Sequence, residues 1–146
     1  MRKSFSDRNR GNRFAGIVLL VCLASGAIVG CTAKPTTRTV SGAMALFFQA
    51  TKTRDLAKMK SYCKDTAITQ CDTLFATVED MEKTGKASRL DSWVLTADSG
   101  ADRSRTSTLA DFIGVNNDHF LRTYYNLEKQ PNGEWRIYEM SWQELR

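Results

Sequence analysis

From Val40 onward the apolar positions recur at helical spacing, and beyond Gly85 they recur at every second residue. Val40, Ala43, Met44, Leu46, Phe47 and Ala50 form one stripe. That stripe predicts an amphipathic helix over 40–53, with Ser41 as its N-cap. Asp55 is placed to cap a second, short helix carrying Leu56, Met59, Tyr62 and Cys63 on one side. A third pattern begins at Asp72, runs through Leu74, Phe75, Val78 and Met81 at three- and four-residue steps, and stops at Gly85, a residue suited to ending a helix. The period then becomes two. Trp93, Leu95 and Ala97 alternate with Ser92, Val94 and Thr96, which predicts a strand over 89–98; Ser99-Gly100-Ala101-Asp102 supplies turn chemistry before a second strand over 104–115. Residues 120–129 and 134–142 predict another hairpin about Pro131-Asn132-Gly133. Alternation puts Trp135, Ile137 and Glu139 on one face of its returning strand and Arg136, Tyr138, Met140 and Trp142 on the other. Helices followed by strands predict an α+β domain, three helices packed on one face of an antiparallel sheet of about four strands.

Upstream of Val40 the pattern is of another kind. Arg2, Lys3, Arg8, Arg10 and Arg13 stand against one acid, Asp7, and residues 15–29 are all apolar or small. This is the charge bias and length of a secretory leader, shorter than the roughly 20 residues of a full span. The run ends in Ile28-Val29-Gly30-Cys31, which resembles the lipobox of bacterial lipoprotein precursors. Val29, Gly30 and Cys31 fit that pattern, and Ile28 stands where leucine is commonest. The resemblance implies cleavage between Gly30 and Cys31, lipidation of Cys31, and a protein anchored by its lipid to the extracytoplasmic face of the cell envelope. Thr32 after the lipidated cysteine resembles the outer-membrane sorting pattern of hosts with two membranes. Residues 1–30 then form the signal peptide, 31–39 a lipidated tether containing Pro35 and several threonines, and 40–146 a single domain. The alternative is an uncleaved leader in which residues 14–32 cross the membrane. Cys22, inside the apolar run, is read as hydrophobic bulk.

The leader changes the meaning of the charge. Removing residues 1–30 takes five of 21 basic and one of 16 acidic residues, leaving a net charge of only +1. The apparent pI of 9.2 is therefore a targeting signal and not the footprint of a nucleic-acid-binding protein. The densest basic stretch, Lys52, Arg54, Lys58, Lys60 and Lys64, is interrupted by Asp55 and flanked by Asp65, as on a solvated helix face. Besides Cys22 and Cys31 only Cys63 and Cys71 remain. Two leftover cysteines in an exported chain predict one disulfide. No metal is expected, since the spacing is not that of a zinc site and His119 is the only histidine. No cofactor is expected either, for there is no glycine-rich phosphate loop.

The phrases Ala45-Leu46-Phe47-Phe48-Gln49-Ala50 and Asp55-Leu56-Ala57-Lys58-Met59, with the aromatic strand Glu134-Trp135-Arg136-Ile137-Tyr138, resemble the nuclear-transport-factor-2-like superfamily over residues 40–142. The resemblance implies a cystatin-like cone, a curved sheet wrapped on helices. That superfamily holds enzymes, adaptors and noncatalytic lipoproteins, so it leaves activity open. Its enzymes place acid and base residues in the pocket between sheet and helix, which makes Asp111 and His119 the residues to weigh. Alternation sends Asp111 to the solvent face opposite Phe112, and His119 sits in a polar turn beside Asp118, so no catalytic residue is assigned. Trp93, Tyr124, Tyr138 and Trp142 are the candidates for a pocket or partner surface. Three readings follow: a noncatalytic lipid-anchored envelope protein that binds a protein or envelope component; a bitopic assembly subunit similar to the periplasmic cone domains of type IV secretion systems; and a small cone-pocket hydrolase or isomerase. The resemblance also implies homodimers formed through the open sheet.

Overall fold

The computed structural model describes residues 34–99 and 104–145. The expected leader, with Cys22, Gly30 and Cys31, and the expected turn at 100–102 lie outside the described residues. Helix α1 spans Val40–Lys52, and its N-cap is Thr39, not Ser41: the Thr39 hydroxyl accepts the Gly42 amide at 3.1 Å. Gly42 is required there, because a Cβ at that position would sit 2.2 Å from the Thr36 carbonyl oxygen. Helix α2, Leu56–Ser61, is capped as expected by Asp55, whose carboxylate accepts the Lys58 amide at 2.9 Å. Helix α3 spans Thr66–Lys83 and begins before the expected Asp72. The reason is visible in the burial: Ala67 and Cys71 continue the buried stripe of Leu74, Val78 and Met81 at steps of four and three. Gly85, at φ +73°, follows the end of α3 as expected.

Four strands, β1 (Leu90–Ser99), β2 (Arg105–Gly114), β3 (His119–Lys129) and β4 (Trp135–Glu144), form an antiparallel meander in sequence order. The chain is therefore the expected α+β arrangement of three helices and a four-stranded sheet. Register skips leave single extra residues at Asp91 and Thr96 on β1, Phe120 on β3 and Tyr138 on β4. Each such bulge reverses the alternation and sharpens the twist. Sequence alternation set Ile137 and Met140 on opposite faces; both are buried, at 1% and 2% exposure, because Tyr138 is the extra residue between them. The helices cover the face that carries Trp93, Ala110, Phe112, Leu121, Tyr125, Leu127 and Met140, and these residues join α1 and α3 in one core.

The β4 edge is occupied. Ile137 donates to the Tyr62 carbonyl at 3.1 Å and accepts from the Lys64 amide at 2.8 Å, and Trp135 donates to the Thr37 carbonyl at 2.6 Å. Pairing an edge in this way removes a template for aggregation. The bond from Trp135 also holds Thr37, a residue of the expected tether, against the sheet.

Candidate binding face

The face of the sheet turned away from the helices is built by the alternate residues of each strand. Across it run Val94, Asp111, Arg122 and Gln143 as one register row, Leu109, Tyr124 and Ser141 as the next, and Ser107, Asn126 and Glu139 as a third. Val94 is 44% and Tyr124 39% exposed. The third row is tied by hydrogen bonds: the Ser107 hydroxyl donates to Asn126 Oδ1 at 2.6 Å, and Asn126 Nδ2 donates to Glu139 at 2.9 Å. Exposed apolar side chains thus lie beside polar groups already fixed in position.

Asp111 is the centre of this face. It points away from Phe112 as the alternation requires, yet it is only 4% exposed. Arg122 Nε and Nη2 bind its two carboxylate oxygens at 2.7 and 2.8 Å, a bidentate fork that fixes both planes. His119 Nδ1 lies 3.7 Å from Asp111 Oδ2. The hydrogen bonds from Arg122 hold the Asp111 carboxyl below its ordinary range, against the opposing effect of burial. A carboxylate clamped in this way is a poor proton acceptor. Asp111 and His119 therefore come together, but on the outer face and not in the cone interior where acid–base chemistry would need them. His119 is the first residue of β3 rather than part of the turn, while Asp118 binds the Ser88 amide at 2.9 Å and anchors that turn to the start of β1.

The cone interior is filled by rings. Phe48 stacks on Trp93 at 4.7 Å between centroids and meets Phe112 and Tyr125 edge-on at 5.4 and 5.8 Å. Of the four aromatic candidates, Trp93 and Trp142 are packed on this core. Tyr124 is on the outer face, and Tyr138 is the bulge residue, its ring 5.6 Å from the Arg105 guanidinium. The Tyr125 hydroxyl is fully buried with no hydrogen-bond partner among the described residues, and burial pushes its pKa up. Sequence reading missed Arg122 altogether; only the β2–β3 register brings it opposite Asp111.

Cys63 and Cys71, expected as a disulfide, are buried free thiols with their sulfurs 3.3 Å apart. Cys63 is fixed by its bridge to Ile137 and Cys71 by α3. The hydrogen bond between them, with burial, pushes the Cys63 thiol far up, and the same bond lowers that of Cys71. In an oxidising compartment the pair is expected to close, with a mass lower by two hydrogens. Closing so short a loop stabilises by about 2–3 kcal/mol in the chain-entropy model. Urea unfolding with and without reductant checks this: the oxidised protein should lose that amount on reduction, and a Cys71→Ser variant should not respond. Among the described residues no three of His, Cys, Asp and Glu converge as metal ligands, and no helix is long and apolar enough to cross a membrane.

No family model and no curated protein sequence matches the chain. Among solved structures it is similar to a ketosteroid isomerase-like protein from Erwinia carotovora atroseptica SCRI1043, at 8% identity and a TM-score of 0.54, covering 73% of this chain and 94% of that one. At that identity the likeness speaks to the fold alone: residues 40–144 have the cone of the ketosteroid-isomerase and nuclear-transport-factor-2 type.

Proposed function

We propose that this chain is a lipid-anchored bacterial envelope protein whose domain binds a protein or envelope component through the outer face of its sheet. The observation that carries the binding role is the division between the two faces. The inner one is filled by Phe48, Trp93, Phe112 and Tyr125, while the outer one presents Val94 and Tyr124 beside the clamped Asp111–Arg122 pair. Exposed apolar and aromatic groups beside fixed polar ones are the usual makings of a recognition surface. A second copy of the chain, pairing sheet to sheet, is one occupant of this face. The anchor rests on Gly30-Cys31 and the leader before it. Cone-pocket catalysis, the third reading, has in its favour the fold and a buried Tyr125 hydroxyl without a hydrogen-bond partner among the described residues. That hydroxyl would donate a hydrogen bond, and the bases once considered for the pocket, Asp111 and His119, face outward.

Intact mass of the membrane-extracted protein, beside a Cys31→Ala variant, tests the anchor. A mass of residues 31–146 plus acyl chains, lost in the variant, is the expected result. An unmodified full-length chain in both would replace this reading with the bitopic assembly subunit.

A further inference from the structure

We infer that the end of the domain where the tether emerges is a docking surface for anionic phospholipid headgroups, an inference that rests on the anchored reading above. The tether is fastened to the sheet at Thr37, whose carbonyl accepts the Trp135 amide at 2.6 Å and whose hydroxyl donates to Glu134 at 2.9 Å. Six peptide steps separate Thr37 from Cys31, a reach of at most about 22 Å. A chain that enters the bilayer at Cys31 therefore holds this end, and no other, against the headgroups.

The charge at that end fits such a neighbour. Lys34 and Arg38 are exposed on the tether, and exposed Lys129 closes β3 directly opposite Trp135. Among the described residues none of these three cations has an ion-pair partner, whereas the described acids Glu128 and Glu134 beside them are already engaged. Glu128 is bound by Lys64 at 2.6 Å and Arg105 at 2.8 Å, and Glu134 by Arg136 at 2.9 Å. A groove of about 350 Å³ between tether and α1, lined by Lys34, Thr36, Thr39 and Ser41, offers an ammonium and hydroxyls to a phosphate. Three uncompensated cations held within a Debye length of an anionic surface are attracted to it; the opposite end of the strands, roughly 30 Å away at about 3.3 Å per residue, is not. Docking here stands the strands up from the membrane and leaves both sheet faces looking sideways, with the outer face open to a partner.

Lysine footprinting on the full chain tests this. The membrane-extracted protein is reconstituted into vesicles of phosphatidylcholine alone, or with one-third phosphatidylglycerol, and treated with a water-soluble acetylating reagent. Acetylation of Lys34 and Lys129 should slow about fivefold on the anionic vesicles and recover in about 0.5 M salt. Lys83, 74% exposed at the far end, should react equally on both. A Lys34→Glu, Arg38→Glu, Lys129→Glu variant should still float with the vesicles while its remaining tether-end lysine, Lys64, gains no protection. Equal rates at Lys34 and Lys129 on both vesicles, with the chain floating, would overturn the docking surface alone. A chain that floats with neither vesicle would overturn the anchor and the docking surface together. Protection in a chain of uncleaved mass would keep the docking surface and remove the lipoprotein.

Discussion

Replacing Phe48 with alanine is expected to destabilise the domain by about 4 kcal/mol, the middle of the range for removing a buried aromatic ring. Phe48 is 1% exposed and is the one side chain in ring contact with Phe47, Trp93, Phe112 and Tyr125 together. It therefore joins α1 to β1, β2 and β3 at a single point. Its neighbours belong to different strands of a twisted sheet, so they cannot all move inward, and most of the cavity would remain open. For a domain of this size the loss corresponds to a fall in melting temperature of roughly 20 °C. Urea unfolding followed by far-UV circular dichroism measures it, and Val115→Ala, at a residue 58% exposed, supplies the control within about 0.5 kcal/mol of wild type. A Phe48→Ala loss below about 2 kcal/mol would mean that the interior is a collapsible pocket and would return the cone cavity to consideration as a ligand site.

The legibility of this fold follows from where the physics is local. Helix α2 and the Pro131-Gly133 turn are set by short-range chemistry, a capping aspartate and a glycine at φ +85°, and both could be read directly. The start of α3 is legible too, in Ala67 and Cys71, which extend the buried stripe ahead of Asp72. Bulges are another matter. Nothing in the residues around Tyr138 announces an extra position, yet it decides that Ile137 and Met140 share a face. Arg122 belongs to the same class: its partner Asp111 is eleven residues away, and only pairing of β2 with β3 brings them together. The site was therefore half visible. Asp111 was placed on the correct face, and the group that determines its chemistry was not seen.

That pair gives the second large effect, and its asymmetry is what identifies it. Arg122→Ala should cost about 2 kcal/mol, the scale for leaving a buried acceptor without its partner, because the Asp111 side chain is 6% exposed and loses both of its hydrogen bonds to Arg122. Asp111→Ala should cost about 1 kcal/mol: the Arg122 side chain is 34% exposed and can turn to water. The double variant should lie well short of the sum of the two, since it strands neither charge. The pH dependence carries the same information with opposite signs. In the wild type the Asp111 carboxyl is held below the ordinary value of an aspartate in the unfolded chain. Its contribution to stability is thus full above that pH and is lost as pH falls through the lower folded value. In Arg122→Ala the hydrogen bonds that lower the carboxyl are gone while the opposing effect of burial stays, so its value rises from that of the wild type and the deficit against wild type narrows as the solution is acidified. Equal costs for the two single variants, or a deficit independent of pH between about 3 and 7, would show that Asp111 is solvated on this face and that Arg122 is free to meet a partner instead.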